Sequence, residues 1–376
     1  MNLNLSEDQL ALQDTLRRFA AKEYGFAKRR ALATEHADRG YLPQAWQQLA
    51  ELGVSALPFE EAYGGLGGSA IDTMVVMEEL GRGLMPEPYL GTVILCGGLL
   101  ASLGNAEQKA ELLPAIASGE LLLALAHQEA STAYNPTTLT TKAEVIGDQI
   151  QLSGRKTLVL FGAQAQQLLV SAREGDGVSL FVVDANAKGI VWHDQQMPDG
   201  TRIATLELNQ VLVNQHARLG GQGSAAVAIA RAFDVANAAL CAEAVGIIVA
   251  MIEMTNEYLK TRKQFGVTLG TFQALKHRMV DMFVWSETAR SATMLATVRI
   301  ATDDVEAGHW ACAAAKVQVG EAARFVGQQA IQLHGGMGVT EEMAVSHYFK
   351  RLTCILAMFG DVDHHLGVVS DKLLAA

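Results

Sequence analysis

The chain has 376 residues, of which half are apolar and 18% are charged. This composition predicts a large buried core, and it excludes a disordered chain because disorder goes with low hydrophobicity and high charge. The length suggests about two or three domains. Acidic residues outnumber basic ones by 40 to 29, which argues against a surface for nucleic acid or for an anionic membrane. An anionic ligand therefore requires a local excess of positive charge.

Three features predict a cytoplasmic protein. Glu7 and Asp8 stand where a signal peptide would need basic residues followed by an apolar stretch. The uncharged run 89–106 contains four glycines and is predicted not to span a membrane. The cysteines are scattered without a CxxC pair, so we expect reduced thiols and neither a disulfide framework nor a zinc site. They are Cys96, Cys241, Cys312 and Cys354.

The first segment has helical spacing. From residue 5 to about 119 its apolar residues recur with the period of a helix, and we predict an N-terminal α-helical domain over 1–120. Ser6 is the expected N-cap of the first helix. A glycine-rich stretch at 63–68 interrupts as a loop, and helical spacing resumes from Met74 to Leu80.

The second segment, 121–220, changes to short β-branched and alternating stretches. Because no helical pattern of about 10 to 15 residues separates them, we predict a middle antiparallel β-barrel-like domain and not a parallel doubly wound sheet. Hairpin turns are expected at Gly147-Asp148 and Ser153-Gly154. The predicted strands are 142–146, 149–152, 167–171, 178–183, 203–208 and 211–213.

The third segment, 221–376, follows a glycine cluster and returns to helical spacing. We expect its helices at 224–259, at 271–302, at 307–333 and from 343 to the end. Four long helices in succession predict a C-terminal four-helix bundle. The fold class is therefore α+β and multidomain.

One stretch reverses the acidic balance of the chain. Residues 260–278 contain five lysines and arginines and no acid. The guanidinium fork of Arg262 would suit a pyrophosphate better than a point charge does. Basic residues that complement a helix C-terminus are the alternative, and the stretch by itself leaves both interpretations open.

Two histidine motifs are weaker signals. The glycine loop after His334 resembles an esterase oxyanion loop, but the GxSxG nucleophile motif that should accompany it is missing. His364 and His365 follow two aspartates, yet adjacent helical residues diverge by about 100° and no second cluster supports a metal. We predict a solvated or intersubunit surface there, and no metal site.

The order of motifs along the chain resembles the acyl-CoA dehydrogenase family. The stretch 54–68 and the run Glu78-Glu79-Leu80-Gly81 are similar to the N-terminal domain of that family. A second set of motifs is similar to its C-terminal domain, so the resemblance covers the whole chain. The second set consists of Tyr258, Arg262, Phe265-Gly266, Phe272-Gln273 and Gln332-Leu333-His334-Gly335-Gly336.

The resemblance implies the same three-segment fold, with FAD bound between the subunits of a dimer or tetramer. It implies that Arg262 and Gln264 hold the diphosphate of FAD. Phe272 and Gln273 would contact the adenosine end, and Gly335 would let the main chain approach the cofactor. The implied cofactor-binding residues are Arg262, Lys263, Gln264, Phe265, Phe272, Gln273, Gln332, Leu333, His334, Gly335 and Gly336.

The chemistry implied is α,β-dehydrogenation of an acyl-CoA thioester, in which a carboxylate removes the α-proton and the flavin accepts a hydride from the β-carbon. In relatives the base is a glutamate in a Tyr-Glu-Gly-Thr run, and Phe359 stands in its place. A second family position for the base corresponds to Ala236. The catalytic residue is therefore unknown from the sequence, whereas Asp234 corresponds to an acid that contacts acyl-CoA.

Further departures concern the flavin ring. The family's Thr-Glu-x-x-x-Gly-Ser stretch corresponds to 128–135, which begins Gln128-Glu129. Its Trp-Ile-Thr corresponds to Leu158-Val159-Leu160, which cannot donate the hydrogen bond of threonine. One half of the flavin contacts is thus expected to be kept and the other lost. In this the chain is similar to the small subunit of pimeloyl-CoA dehydrogenase-type heteromeric enzymes, in which a larger subunit supplies the base and the ring contacts.

Several alternatives stay open. An autonomous dehydrogenase would need a displaced base such as Asp234, Glu243 or Asp361, although we expect Glu243 to be a buried structural acid paired with a neighbouring base. A non-catalytic structural subunit without flavin is a second possibility. A flavin oxidase or monooxygenase on the same fold is a third. The length of the acyl chain and the electron acceptor are not predicted.

Overall fold

The computed structural model describes residues 4–132, 134–135, 137–302 and 304–375. Met1–Leu3 and Ala376, at the ends of the predicted domains, and Ala133 in the stretch 128–135 lie outside the described residues. The helices are α1 (Glu7–Glu23), α2 (Phe26–Glu35), α3 (Pro43–Glu51), α4 (Ala70–Arg82), a π-helix (Tyr89–Gly97), α5 (Gly98–Leu103), α6 (Ala106–Ala117), α7 (Ala226–Thr261), α8 (Gln273–Ile300), α9 (Val305–His334), α10 (Ala344–Ala357) and α11 (Val362–Ala375). The strands are β1 (Leu123–Ala126), β2 (Lys142–Ile146), β3 (Gln149–Leu160), β4 (Gln167–Glu174), β5 (Gly177–Asp184), β6 (Ile190–Gln196), β7 (Arg202–Asn214), β8 (Arg218–Leu219), β9 (Lys263–Gln264) and β10 (Val267–Thr268).

Strands β1 to β8 form one sheet. Its neighbours follow the order β6-β7-β3-β2-β4-β5-β8, and β1 pairs with β4. Most pairs are antiparallel, as predicted, whereas β4 lies parallel to both β1 and β2. Alternating apolar side chains from several strands form its core, including the fully buried Ile150, Leu168, Phe181 and Leu206.

Two strand predictions are wrong for one physical reason. Gly147-Asp148 does form the β2–β3 hairpin turn, but Ser153-Gly154 lies inside β3, where the register against β7 shifts between Leu152 and Gly154. The predicted strands 203–208 and 211–213 are likewise parts of β7, in which Gln210 has a φ of 56°. β-Bulges use the same residue types as turns, so the local sequence does not separate the two.

The helices of the third segment follow the prediction closely up to residue 334. Helices α7, α8 and α9 begin and end within a few residues of the predicted bounds. The fourth predicted helix is divided into α10 and α11 by a short loop at 358–361, where Gly360 has a φ of 113°. At the other end of the chain, Ser6 caps α1 as predicted, because its hydroxyl accepts the Gln9 N–H at 3.2 Å.

The motif at 78–81 ties α4 to helices from the last third of the chain. Glu78 accepts two hydrogen bonds from Arg290 on α8, at 2.8 and 2.9 Å. A Cβ added to Gly81 would lie 2.1 Å from the carbonyl oxygen of Glu243, and one on Gly246 would lie 1.9 Å from that of Glu78. Helices α4 and α7 therefore pack backbone against backbone, which explains the need for glycine at both crossings.

The chain folds into two compact units. One consists of Met1–Arg30, Ala70–Met85 and Asn237–Ala376, and the other consists of Ala31–Ser69 and Pro86–Ala236. Helices α1 and α4 therefore fold with helices from the end of the chain, although the sequence groups them with the N-terminal segment. The domain boundaries at 120 and 220 stay predictions.

Helix α7 is long and apolar enough to cross a membrane by length and composition, and within the described residues α10 and α11 would pass that test only as one bent span. In the most apolar window of α7, 83% is buried inside the protein. Such burial is typical of a core helix. The uncharged run 89–106 forms the π-helix and α5, which together are shorter than the roughly 20 residues that a span needs.

Glu87, before the π-helix, is a buried acid. Its Oε1 accepts the main-chain N–H of Leu42 at 3.4 Å, and its Oε2 has no hydrogen-bond partner among the described residues. Burial raises the pKa of the Glu87 carboxyl from 4.5 to about 8. Because the folded state holds this proton more tightly than the unfolded chain does, the stability that it contributes is lost as the pH rises from about 4.5 through about 8.

Glu87→Gln is therefore expected to raise the melting temperature by several degrees at pH 8 and to leave it nearly unchanged at pH 5, because glutamine cannot ionise. Thermal unfolding followed by circular dichroism at the two pH values measures the difference. Glu120→Gln, at an exposed glutamate, is the matched control and should be neutral at both. An equal effect of Glu87→Gln at pH 5 and pH 8 would contradict the prediction.

Candidate functional site

A small hairpin after α7 carries several of the predicted cofactor-binding residues. Arg262 follows the helix directly, and β9, which is Lys263–Gln264, pairs antiparallel with β10. Phe265 and Gly266 form the turn, with φ values of 53° and 83°, as a type I′ turn requires. For a phenylalanine this conformation costs about 1–2 kcal/mol. Its side chain is nevertheless 90% exposed, so packing within the described chain does little to offset the strain.

The hairpin and the start of α8 form an exposed basic surface. The five cations of 260–278 are all exposed, and none of them forms an ion pair within the described part of the chain. Arg278 donates a hydrogen bond to Gln329 of α9 at 3.3 Å. The positive charge that the sequence concentrates here is thus available to a ligand or a partner. The cations are Lys260, Arg262, Lys263, Lys276 and Arg278.

Phe272 and Gln273 lie beside the same hairpin. Phe272 immediately precedes α8, and its ring meets that of Phe265 edge to face at 6.2 Å. Leu269 N–H donates to the carbonyl oxygen of Arg262 at 2.8 Å. The structure therefore brings the residues 262–265 together with Phe272 and Gln273, as the resemblance implies.

The end of α9 exposes main-chain atoms to solvent. Gln332, Gly335 and Gly336 are exposed. Gly335 has φ 60° and ψ −147°, a combination almost confined to glycine. Gly336 has no left-handed backbone, and an added Cβ there would meet nothing within 4 Å in the described structure. The fold therefore does not require glycine at 336, whereas a ligand that contacts the main chain would.

Leu333 and His334 are buried, at 7% and 3% exposure. His334 shares a 2.8 Å hydrogen bond between its Nδ1 and the carbonyl oxygen of Ala330. Burial lowers the pKa of His334 although this hydrogen bond acts in the opposite direction, so the ring is neutral at physiological pH. Any contact of these two residues with a ligand would be made by their main chain.

The main chain of the loop at 358–361, where the family carries its base, is held by hydrogen bonds. Phe359 is left-handed with a φ of 52°. Asn237 donates to its carbonyl oxygen at 3.3 Å, and His365 Nε2 lies 3.2 Å from the same atom. The buried ammonium of Lys316 donates to the carbonyl oxygen of Met358 at 2.8 Å. The main chain at this position is thus hydrogen-bonded to neighbouring elements, and its side chain cannot take a proton.

The candidate replacement bases are engaged elsewhere. Glu243 is 5% exposed, and both of its carboxylate oxygens accept from Arg351, at 2.6 and 2.9 Å, as expected for a structural acid. Asp361 Oδ1 accepts the N–H of His364 at 2.8 Å and caps α11. Ala236 is fully buried. Asp234 is half-buried on α7, in the unit that contains the sheet.

Glu129 belongs to a buried ionic cluster in the sheet. Its carboxylate accepts from the Lys156 ammonium at 2.8 Å and from the N–H groups of Thr140 and Thr141 at 2.7 and 3.1 Å. Burial lowers the pKa of Lys156 to about 8, which leaves the pair ionised at neutral pH. Its Nζ also contacts Ser171 at 3.2 Å. Glu129 is therefore satisfied inside the fold.

Three of the six non-glycine residues with positive φ in the described structure lie in segments singled out from the sequence. Leu158, the first residue of the stretch that stands for Trp-Ile-Thr, has a φ of 54° and is 54% exposed. Phe265 and Phe359 are the other two strained residues in such segments. Non-glycine residues held in the left-handed region cluster at functional sites.

No group of three or more potential metal-ligating side chains occurs within the described ranges, 361–365 included.

Comparisons with known proteins show which family this chain belongs to. The family model for the acyl-CoA dehydrogenase N-terminal domain matches residues 6–120, and the model for the C-terminal domain matches residues 222–374. A probable acyl-CoA dehydrogenase of Bacillus subtilis (strain 168), YngJ, is 30% identical over 363 residues, which covers 93% of each chain. The chain belongs to the acyl-CoA dehydrogenase family.

Two solved structures illustrate the fold that the chain shares. A Tcur3481-Tcur3483 steroid ACAD variant is 30% identical with a TM-score of 0.88, over 98% of both chains. The ChsE4-ChsE5 complex from Mycobacterium tuberculosis is 25% identical with a TM-score of 0.91, over 100% of both chains. The predicted fold class of a helical domain, a sheet domain and a C-terminal helical bundle is confirmed by these likenesses.

FAD is the cofactor that the family implies, and the residues on the hairpin and at the end of α9 fit its adenosine diphosphate half. A diphosphate needs exposed cations and close main-chain approach, and Arg262, Lys263 and Gly336 offer both. The ring half fits less well, because Leu158, Val159 and Leu160 carry no side-chain donor.

Sequence reasoning assigned no role to several polar residues near these segments. Lys156, Lys316 and Asn237 are almost completely buried, yet each stands in an apolar or mixed stretch without a recognised motif. A charged residue inside a predicted strand or core helix was the available signal, since such residues are rarely buried without a partner.

Proposed function

We propose that this chain is a subunit of a FAD-dependent acyl-CoA dehydrogenase that binds the adenosine diphosphate half of the flavin and supplies no catalytic base. Its substrate class is an acyl-CoA thioester. The observation that carries the proposal is Phe359, an apolar side chain on a hydrogen-bonded loop at the position of the family's glutamate. A cytoplasmic dimer or tetramer with a larger dehydrogenase chain is the proposed assembly.

The engagement of the other acids supports this assignment. To accept the α-proton, a base must place a free lone pair of its own close to the reacting carbon. The Arg351 fork occupies both oxygens of Glu243, and Asp361 caps a helix. An autonomous enzyme with Glu243 as a displaced base would first have to break its contacts with Arg351, which supports assigning the α-proton to a carboxylate of a second chain.

The residues of this chain would bind and orient FAD. The Arg262 fork and the Lys263 ammonium would neutralise the diphosphate, and the open main chain at Gly335 and Gly336 would accept the cofactor closely. When bound, FAD supplies the acceptor for the hydride that leaves the β-carbon. The exposed Phe265 at the hairpin tip would pack against the partner subunit, because a rigid exposed aromatic side chain is a typical interface anchor.

The experiment is purification of this chain alone and after co-expression with a larger acyl-CoA dehydrogenase chain from the same organism. Alone, it should carry far less than one flavin per chain and should show no bleaching of the flavin band with acyl-CoA. The complex should carry about one flavin per two chains and should be reduced by at least one member of an acyl-CoA panel.

Other outcomes select the alternatives. A homo-oligomer with one flavin in every chain and turnover would overturn the proposal in favour of an autonomous dehydrogenase. A complex whose flavin content is unaffected by this chain would favour a structural subunit. Rapid oxygen consumption by the reduced flavin would favour an oxidase or monooxygenase.

A further inference from the structure

Tyr258 connects two helix ends that are far apart in the sequence. It lies in the last turn of α7 and stacks on His334, the last residue of α9, with ring centroids 4.5 Å apart and an angle of 28° between the rings. Its hydroxyl donates to the main-chain carbonyl oxygen of His334 at 3.4 Å. The contact therefore joins the α7 end to the α9 end by both ring packing and a hydrogen bond.

Each of these helix ends leads directly into a segment proposed to bind the diphosphate. Arg262 follows one turn after Tyr258, and its N–H donates to the Tyr258 carbonyl oxygen at 2.8 Å. Gly335 follows His334 without an intervening residue, and its N–H donates to the carbonyl oxygen of Gln332. The Tyr258–His334 stack thus directly joins the helix that leads to the cation and the helix that leads to the glycine turn.

The His334 ring is a fixed partner for this stack. It is 3% exposed, and the Ala330 carbonyl oxygen is an acceptor, so the proton of the neutral ring lies on Nδ1 and points along the helix. A neutral ring adds no charge to the basic surface beside it. Tyr258 therefore packs on the His334 ring, whose orientation is set by its hydrogen bond within α9.

We propose that Tyr258 is a positioning residue for FAD that acts through His334, holding Arg262 and the Gly335–Gly336 turn in register before the cofactor binds. This inference rests on the proposed function. Its physical basis is preorganisation, because a ligand that spans two helix ends binds more weakly when binding must also order them. Tyr258 itself need not touch the cofactor.

The test uses the flavin-loaded complex of this chain with its larger partner, and FAD as the probe. Tyr258→Leu, which removes the ring, is expected to weaken FAD binding about tenfold, and Tyr258→Phe, which keeps the ring, less than about threefold. Phe325→Leu is the matched control, since it breaks the α8–α9 aromatic pair of Trp285 and Phe325 at 5.7 Å. It should lower thermal stability without changing the affinity for FAD.

Amide hydrogen exchange on the chain without FAD gives a second readout. Tyr258→Leu should speed exchange at 335–339 and at 262–268, and Tyr258→Phe should not. If Tyr258→Leu changes neither the FAD affinity nor the exchange, while Arg262→Ala does release FAD from the complex, the inference alone is overturned. Retention of FAD by Arg262→Ala would instead overturn the proposed function on which it rests.

Discussion

Replacing Lys156 by methionine is expected to lower the free energy of unfolding by about 3–5 kcal/mol. Lys156 is fully buried in β3, and its ammonium donates to Glu129 at 2.8 Å and to the carbonyl oxygen of His127 at 3.2 Å. Without the ammonium, the Glu129 carboxylate becomes an uncompensated charge inside the sheet, and this penalty exceeds the loss of the attraction itself. Urea unfolding of the variant and the wild type measures the difference.

Two further variants make this test specific. Lys142→Met, at an exposed lysine of β2, should change the stability by less than about 0.5 kcal/mol. Combining Lys156→Met with Glu129→Leu should recover part of the loss, because the unpaired charge is then absent. A loss below about 1 kcal/mol in Lys156→Met would show that the sheet tolerates a lone carboxylate at this position.

The Lys156–Glu129 pair also makes the stability of the fold depend on pH in the acid range. Burial alone would raise the pKa of Glu129, but the field and hydrogen bond of Lys156, with those of Thr140 and Thr141, outweigh it and lower the pKa to about 2. The folded state therefore holds this proton less tightly than the unfolded chain does. The stability contributed is present above pH 4.5 and is lost as the pH falls towards 2. Lys156→Met should show a shallower loss over this range.

Arg262→Ala is expected to weaken FAD binding to the assembled enzyme by about 10- to 100-fold. Hydrogen bonds between charged partners contribute about 1.5–3 kcal/mol, and Arg262 offers a fork that can bind a diphosphate bidentately. Arg262→Lys keeps the charge but loses the fork, so its affinity should lie between those of the wild type and the alanine variant. Equilibrium dialysis against FAD at fixed ionic strength measures the dissociation constants.

A control for the loss of charge is available on the neighbouring helix. Arg324 on α9 is 56% exposed, with its nearest acid, Glu321, at 3.8 Å. Arg324→Ala removes the same charge from the same compact unit and should leave FAD affinity within about twofold, because screened surface charges contribute little. Equal dissociation constants for Arg262→Ala and Arg324→Ala would mean that the hairpin does not bind the diphosphate.

Local chemistry explains which parts of the site could be predicted. Arg262, Phe272 and Gly335 are recognisable through the resemblance to the family's motifs, whose order along the chain folding does not alter, whereas the basic stretch by itself leaves two interpretations open. The structure places Arg262 beside Phe272 and leaves Gly336 open, which is compatible with that prediction without testing it. Phe359 is located in the same way, by comparison of 358–361 with the family's Tyr-Glu-Gly-Thr run.

Partners across the fold could not be predicted from the same information. Glu243 was expected to pair with a base, but Arg351 lies 108 residues away in the sequence, and nothing local identifies it. Tyr258 and His334 were both noted in motifs, yet their contact depends on how α7 ends against α9. Lys156 carried no motif, because a buried ion pair is defined by its surroundings and not by spacing.

The sequence by itself determined the order of helical and β segments, the family, the basic stretch 260–278 and the absence of a glutamate at 359, since each follows from local periodicity or residue identity. The tertiary structure decided that Gly154 continues β3 at a register shift against β7 and that α1 and α4 fold with the C-terminal helices. It also decided that Glu243 is committed to Arg351. Burial and long-range contacts determine these outcomes, because the free energy of a charge or of an irregular strand depends on neighbours that the chain supplies only once it is folded.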